Sequence, residues 1–318
     1  MGTASSTQLE IVQGAQYLTG GGAVAMATGM DAVFWNPAGL GMSENNVDVI
    51  FSNRKYIADI NSNYFGVATS LGSLGKVGVT ARTLDIGDIE ETTVFDADGT
   101  GQIFTPSFMT LGLTYARKLS DRTSVGMNIN VVSEAFGRVS ASGLAFDLGV
   151  QYSGLFDMEN LDVGFVLKNF GRPVQYEGEG LGVYADAQDG SRPVEYYKVD
   201  AAEADLPFSF DLSAAYSLAS LTLGATYTSN YYATDVTKLL VTYELAGMAA
   251  LRAGYQMSAA AQDDPDEAWD YANPFDGLSF GGTLMLKSLI GLNLSVDAAY
   301  LPAGDFDPNM VIALRMAF

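Results

Sequence analysis

The sequence predicts an all-β fold, a transmembrane antiparallel β-barrel of about 14 strands whose N-terminal segment lies in the lumen. Three observations predict this fold. From residue 46 onward, apolar residues alternate with small or polar residues in segments of about ten residues. The long connections between these segments all fall on one side of the predicted barrel. The last segment alternates in the same way and ends at Phe318.

The alternation is clearest in "FMTLGLTYA", residues 108–116. One face is apolar and the other is small or polar: Met109, Leu111, Leu113 and Tyr115 against Thr110, Gly112, Thr114 and Ala116. A soluble β-sandwich buries its apolar face and exposes a face rich in Lys, Glu and Thr. The Gly, Ser, Thr, Ala and Asn found here suit the interior of a wide barrel better, and a soluble all-β protein is the alternative.

Connection lengths support the barrel. If the first strand rises from the inner side, the connections after strands two, four, six, eight, ten and twelve are inner turns, and all of them are short. The three long connections are roughly residues 86–105, 171–205 and 259–276. They all follow odd-numbered strands, so they lie at the opposite end of the barrel from the short turns. Short periplasmic turns and long extracellular loops are typical of bacterial outer-membrane barrels. The final segment, "NMVIALRMAF", resembles the signal that such barrels present to their assembly machinery, with Phe318 as its last residue.

Composition excludes several classes of function. The chain has no Cys and no His, which removes thiol catalysis, His-based triads and nearly all zinc, copper and haem sites. A net charge of -21 without a basic patch argues against nucleic-acid binding. No catalytic constellation is apparent, so we expect a non-enzyme without a cofactor. The start, "MGTASSTQLE", lacks the features of a secretory signal, and we expect that a signal peptide has been removed.

The chain divides into a plug segment, residues 1–45, and a barrel, residues 46–318. Residues 20–29 are rich in Gly and Ala, which allow tight bends and close packing. A barrel of about 14 strands is too wide for its own side chains to fill, so a folded N-terminal segment would plug it. We expect Phe34 and Trp35 to pack on the inner wall, Asn36 to cap or turn the chain, and Pro37 to begin a short helix through Ala38, Gly39 and Leu40.

The run "DAVFWNPAGLG" resembles the N-terminal signature of the PorV/PorQ family, through Asn36, Pro37, Ala38, Gly39 and Leu40. That family is similar to the FadL long-chain fatty-acid transporters, whose plugged fourteen-strand barrels carry an Asn-Pro-Ala motif in the hatch. The acidic element that usually precedes the motif is reduced here to Asp31. The first resemblance implies an accessory of a type IX-like secretion system, and the second implies passive uptake of hydrophobic molecules.

Several charged residues share the parity of the lumen face: Asp147, Asp162, Asp211, Glu244, Arg252, Lys287, Asp297 and Arg315. They would form a polar path for a substrate, or pair with one another and with the plug. We favour pairing, because an unpaired buried charge is costly. A hydrophobic ligand needs inward apolar residues, and few are found: Val132, Val166, Leu240 and Met285.

Two predicted outer loops are acidic. "FDADGTGQ" places Asp96 and Asp98 in a spacing that resembles the start of a calcium loop, but the third acidic position and the distal Glu are absent. A plain polar loop is therefore expected, with calcium as the alternative. The second loop, within residues 259–276, is expected to bind cations or a basic partner, or only to keep the surface soluble.

Three functions follow for a bacterial outer-membrane protein in contact with outer-membrane lipids. The first is a secretion accessory or attachment factor that contacts secreted or surface proteins through its long loops. The second is passive uptake of a hydrophobic molecule past the hatch. The third is a structural protein that self-associates into a homo-oligomer. The sequence ranks secretion first, because the motif at residues 34–40 is close to that of PorV/PorQ.

Overall fold

In the part of the chain that the structure describes, fourteen antiparallel strands close into one barrel. The structure is a computed structural model and describes residues 4–17, 20–92, 95–185, 195–259, 273–287 and 291–318. Every strand pairs with its neighbours in the sequence, and β1 pairs with β14 to close the ring. The strands are β1 Val47–Lys55, β2 Asn61–Ser70, β3 Lys76–Asp85, β4 Ser107–Lys118, β5 Thr123–Phe136, β6 Val139–Ser153, β7 Leu161–Gly171, β8 Ser209–Leu218, β9 Leu221–Asn230, β10 Val236–Leu245, β11 Ala249–Ser258, β12 Gly277–Met285, β13 Leu294–Ala303 and β14 Phe306–Ala317. The predicted antiparallel barrel of about 14 strands is confirmed.

The two faces of the strands differ as the alternation predicts. On β4, Leu111 and Leu113 are 44% and 54% exposed on the outside of the ring, whereas Thr110 and Thr114 are buried inside. A soluble sandwich would place the apolar face inside, so the reversed arrangement argues against that alternative. Among the described residues, none of the helices has both the length and the apolar character that a membrane crossing requires.

The connections sort into two ends of the barrel, as predicted. The loop end carries the three long connections, residues 86–106, 172–208 and 259–276. The turn end carries six connections, of which residues 286–293 are the longest. Strand β1 begins and strand β14 ends at this same end. In the loops, Ile89–Glu90 pairs with Ile103–Phe104, and Gly182–Ala185 pairs with Glu195–Lys198. The acidic residues Asp263, Asp264, Asp266, Glu267 and Asp270 lie outside the described residues.

The N-terminal segment precedes β1 and folds into short helical pieces. They are a 3-10 turn at Thr7–Glu10, α1 Ala23–Met26, α2 Gly29–Trp35 and α3 Ala38–Met42. The segment bonds to well-separated strands: Arg54 on β1 donates to the Val12 carbonyl at 3.0 Å, and Ser124 on β5 donates to the Ala38 carbonyl at 2.7 Å. Contacts with walls on different sides of the ring place the segment within the lumen. That it forms a separate folding unit, residues 1–45, stays a prediction.

The last residue closes the ring. Phe318 donates its backbone N–H to the Val47 carbonyl at 2.9 Å and accepts from the N–H groups of Asn46 and Val47. Its side chain is 61% exposed on the outside. The chain end is thus bonded to the start of β1, while its role as an assembly signal stays a prediction.

Leu113→Arg should destabilise the protein folded in lipid vesicles by about 2–4 kcal/mol, because it places a cation on the outward face near mid-strand. The matched control is Leu74→Arg in the turn Gly72–Leu74, where Leu74 is 64% exposed at the turn end. There the cost should be about 0–1 kcal/mol. Urea titration followed by heat-modifiable gel mobility measures both values, and equal costs would contradict a lipid-facing Leu113.

Candidate functional site

The side chain of Asn36 joins three parts of the structure. Its Nδ2 donates to the Val24 carbonyl in α1 at 2.8 Å and to the Val150 carbonyl in β6 at 2.9 Å. Its Oδ1 accepts from the Ala38 N–H at 3.1 Å, at the start of α3. Asn36 is fully buried, so each of these bonds satisfies a group that has no access to water. The turn predicted at Asn36 is therefore also a bond between the segment and the barrel wall.

Three wall glycines make room for this contact, and we name Gly126, Gly149 and Gly164 the glycine notch. A Cβ on Gly149 would lie 1.9 Å from Asn36 Oδ1, and a Cβ on Gly126 would lie 2.4 Å from the Ala38 nitrogen. A Cβ on Gly164 would lie 2.1 Å from the Val24 carbonyl oxygen. Gly126 and Gly149 are directly opposite each other on β5 and β6. Only glycine lets the backbone of the segment approach the wall this closely.

Pro37 begins a short helix, as the sequence predicts. Its φ of -57° is helical, and α3 runs from Ala38 to Met42 directly after it. Ala38 and Leu40 are fully buried, and Leu40 packs in a cluster with wall residues of β1, β2 and β4. Gly39 passes against α1, where a Cβ would lie 2.0 Å from the Ala27 carbonyl oxygen.

Phe34 and Trp35 are buried, 7% and 3% exposed, at the C-terminal end of α2. Their rings meet edge to face with centroids 5.1 Å apart. The Lys168 ammonium lies 4.0 Å from the Phe34 ring centroid, and the Lys238 ammonium lies 5.7 Å from that of Trp35. The expected packing on the inner wall is present, but the wall supplies cations as well as apolar side chains.

At the turn end, Arg315 sits between two carboxylates. Its Nε is 2.6 Å from Asp297 Oδ2 and 3.4 Å from Asp31 Oδ2, which joins β14 to β13 and to α2. Thr283 donates to Asp297 and accepts from Arg252 at 2.6 Å. Burial raises the pKa of Asp31 from 3.8 to about 6; the Arg315 guanidinium opposes this rise and Asp297 adds to it. Of the three predicted lumen charges in this group, Arg315 and Asp297 form an ion pair and Arg252 bonds to Thr283. Arg315 also holds the segment to the wall through Asp31.

Asp147 is also satisfied, but by amides. Asn128 and Asn130 donate to its Oδ2 at 3.0 and 3.1 Å, and the backbone N–H of Asn169 donates to its Oδ1 at 2.8 Å. Asn169 has a left-handed φ of 58°, and the register of β6 with β7 shifts at this point. This bulge turns both Lys168 and Asn169 inward, so strict alternation fails there.

Two predicted lumen charges are corrected. Glu244 and Lys287 are exposed at the turn end, because Glu244 is next to the last residue of β10 and Lys287 lies beyond the end of β12. The alternation predicts which face of the sheet a residue lies on, but not how close the residue is to the end of the barrel. Asp162 is half-buried near the start of β7, and Asp211 is buried on β8. Of the inward apolar candidates, Val132, Val166 and Leu240 are buried and Met285 is half-buried.

A cavity of about 480 Å³ lies between the N-terminal segment and the loop end. Phe34 and Trp35 form part of its floor, and Phe108, Phe275 and Leu301 add apolar surface. Its charged lining comes from Glu10, Arg54, Lys168, Asp211 and Lys238. Sequence reasoning found only Asp211 among these five. Parity alone would have added Arg54, Lys168 and Lys238, whereas the inward position of Glu10 depends on the fold of the segment.

The calcium alternative gains no support from geometry. Asp96 and Asp98 are exposed at the loop end. Within the described ranges, no group of three or more carboxylates is placed to hold a metal ion. The polar-loop expectation and the calcium alternative both stay predictions.

The fold resembles that of a solved hydrocarbon channel and a solved toluene transporter. The structure aligns with that of a TodX monoaromatic hydrocarbon channel deltaS2 mutant with a TM-score of 0.59 and 13% identity, over 96% of this chain and 99% of the other. The Pseudomonas putida toluene transporter TodX aligns with a TM-score of 0.57 and 14% identity, over 96% and 98% of the two chains. The barrel has the FadL-like fold.

A Pseudomonas aeruginosa FadL homologue aligns with this FadL-like barrel with a TM-score of 0.54 and 14% identity, over 93% and 95% of the two chains. No family model and no curated protein match the sequence. At these identities the likeness concerns the fold alone. It confirms the FadL-like half of the resemblance, and the PorV/PorQ assignment is not confirmed.

Gly149→Ala should destabilise the protein by about 1–3 kcal/mol and loosen the N-terminal segment, because the new methyl group overlaps Asn36 Oδ1. Urea unfolding in detergent and limited proteolysis of the segment measure the two effects. Gly282→Ala is the control, because a Cβ there meets no atom closer than 3.3 Å. The glycine notch would lose its assigned role if both variants behaved alike.

Asp31→Asn should flatten the pH dependence of stability. Because the folded pKa of Asp31, about 6, exceeds the ordinary 3.8, the folded state keeps a proton that the unfolded state has released. The free energy of unfolding therefore falls as the pH rises through this interval, by up to about 3 kcal/mol. Urea titrations between about pH 4 and pH 6.5 test this slope.

The control for Asp31→Asn is Asp157→Asn, which removes a carboxylate that is 95% exposed and paired with Arg122 at the turn end. It should keep the slope of the unmodified protein. A slope that persists in Asp31→Asn would assign the pH dependence to other groups.

Proposed function

We propose that the protein mediates passive uptake of hydrophobic or amphipathic molecules across the outer membrane of a Gram-negative bacterium. The observation that carries the proposal is the cavity of about 480 Å³ between the loop end and the N-terminal segment. Cavities of roughly 300–1,000 Å³ with apolar walls and a few placed polar groups are typical ligand sites. The FadL-like fold of the barrel supports the same proposal.

The cavity offers an apolar surface to a ligand that enters from outside. Phe34 and Trp35 contribute from the N-terminal segment, and Phe108, Phe275 and Leu301 contribute from the wall and the loops. Since the site lies next to the segment, an occupant would contact the part of the molecule that fills the lumen. Binding would therefore precede passage, and no chemical step on the ligand is required, in line with the expected non-enzyme.

The secretion-accessory hypothesis has narrower support. It depends on the motif at residues 34–40, whose side chains are used here to fix the segment to the wall. The matched structures described above are a hydrocarbon channel, a toluene transporter and a FadL homologue. We therefore rank uptake above secretion, and above self-association, for which the described surface offers no specific observation.

Binding can be measured with Trp35 itself, because the chain has only two tryptophans and the other is Trp269. In a Trp269→Phe background, 11-bromoundecanoate and bromobenzene should quench Trp35 fluorescence, since bromine quenches at short range and Trp35 lines the cavity. Quenching should saturate with the concentration of the probe. Fluorescence that stays constant while the protein is folded would overturn the proposed site.

Uptake should follow binding. Gram-negative cells that produce the protein should take up radiolabelled dodecanoate several-fold faster than cells without it. Ala233→Phe, which adds a ring at the cavity lining, should abolish most of this increase. Asn160→Phe is the control, because Asn160 is exposed at the turn end. Rates equal to those of cells without the protein would contradict the proposed function.

A further inference from the structure

One wall of the cavity carries four polar side chains in neighbouring positions, Lys168, Asp211, Thr228 and Lys238, which we name the polar patch. They lie on the consecutive strands β7 to β10. Asp211 is directly opposite Thr228, and Lys168 is opposite Ser209, two residues before Asp211. Lys238 is opposite Thr226, two residues before Thr228. Directly opposite and diagonal neighbours on adjacent strands are about 5–8 Å apart. The two lysines are three strands apart, but their ammonium groups lie 5.8 and 5.7 Å from the Trp35 ring centroid, so they flank the same space.

The acceptors of the patch are unsatisfied. Asp211 and Thr228 are only 4% and 7% exposed, yet Asp211 Oδ1 and Thr228 Oγ1 have no hydrogen-bond partner among the described residues. No cation of the described residues lies within 4 Å of the Asp211 carboxylate. A buried polar atom without a bond costs free energy, which a ligand that donates a hydrogen bond would recover.

The ammonium groups of Lys168 and Lys238 contact aromatic rings but form no ion pair with a carboxylate of the described residues. The Lys168 ammonium lies 4.0 Å from the Phe34 ring centroid and 5.8 Å from that of Trp35, and the Lys238 ammonium lies 5.7 Å from the Trp35 centroid. None of the carboxylates in the described ranges is within 4 Å of either ammonium. Each ammonium has three N–H donors, and aromatic faces leave most of them free for an anionic group.

We propose that the polar patch binds the head group of an amphipathic acid that carries a hydrogen-bond donor beside its acid group, as a 2-hydroxy acid does. The acid group lies between Lys168 and Lys238, and the adjacent donor bonds to Asp211 Oδ1 or Thr228 Oγ1. The apolar body of the ligand lies on Phe34 and Trp35. This inference rests on the proposed uptake function and narrows its substrate class.

The patch selects against simpler ligands for a physical reason. A hydrocarbon forms no polar contact with Lys168, Lys238 or Asp211. A plain fatty acid places its carboxylate near Asp211 but donates no hydrogen bond to Asp211 Oδ1. Only a head group with both an acid and a donor satisfies the two halves of the patch. A missing hydrogen bond to a charged group changes affinity by about tenfold or more.

The test uses competition for Trp35 in the Trp269→Phe background. Unbrominated ligands displace 11-bromoundecanoate and restore fluorescence, which gives a Kd for each of 2-hydroxydodecanoate, dodecanoate and toluene. The expected order is 2-hydroxydodecanoate about tenfold tighter than dodecanoate, with toluene weakest. This ratio is measured in the chain with an unaltered patch, so it does not depend on the folding of a patch variant.

Substitutions then assign the two halves. Asp211→Leu and Thr228→Val together should give 2-hydroxydodecanoate and dodecanoate equal Kd values. Lys168→Met should raise the Kd of both acids relative to that of toluene. The control is Asp307→Leu, because Asp307 is exposed at the loop end away from the cavity lining.

The outcomes separate this inference from the proposed function. If 11-bromoundecanoate does not quench Trp35, the proposed site itself fails. If it does quench, but 2-hydroxydodecanoate and dodecanoate compete equally, the cavity binds ligands and the inference about the head group is wrong. A hydroxy-acid advantage that survives the double substitution at Asp211 and Thr228 would also overturn it.

Discussion

The bond network of Asn36 is the contact on which the rest of the structure depends. One buried amide satisfies the Val24 carbonyl of α1, the Ala38 N–H of α3 and the Val150 carbonyl of β6. The contact exists because Gly149 has no Cβ at a point where one would lie 1.9 Å from Asn36 Oδ1. Asn36 fixes the C-terminal end of α2 and Arg315 holds Asp31 near its other end, so the side chains of α2 meet opposite halves of the lumen. The barrel is too wide to fill itself, so this docking decides where open space remains.

Charged side chains are paired in one half of the lumen and not in the other. At the turn end, Arg315 lies 2.6 Å from Asp297 and 3.4 Å from Asp31, which is the close pairing that a permanent buried contact requires. At the loop end, Lys168 and Asp211 line open space without forming an ion pair with each other. The paired charges hold the N-terminal segment to the wall, whereas Lys168 and Asp211 line open space. The same residue types thus form a structural contact at one end and, under the proposed function, would bind a ligand at the other.

The strands could be predicted from the sequence because lipid and lumen are different solvents, and each strand residue faces one of them. The Asn36–Pro37 turn could also be predicted, since Pro37 fixes its own φ and starts α3 locally. Helices α1 and α2 could not, because small residues carry no clear period. Parity also failed where geometry broke it: the bulge at Asn169 turns two consecutive residues inward, and Glu244 keeps its face but is exposed at the turn end.

Helix α2 separates two open spaces in the described part of the lumen. Phe34 and Trp35 line the cavity of about 480 Å³ toward the loop end, and Met30 and Asp31 line a second space of about 140 Å³ toward the turn end. Seven residues give a helix of about 10 Å, so these two linings are separated by little more than its own length. A molecule bound at Phe34 therefore lies against the element whose other half is held by Arg315. Under the proposed uptake function, passage along the lumen would have to displace α2, and the strength of the Asp31–Arg315 contact would set part of the free energy which that displacement requires.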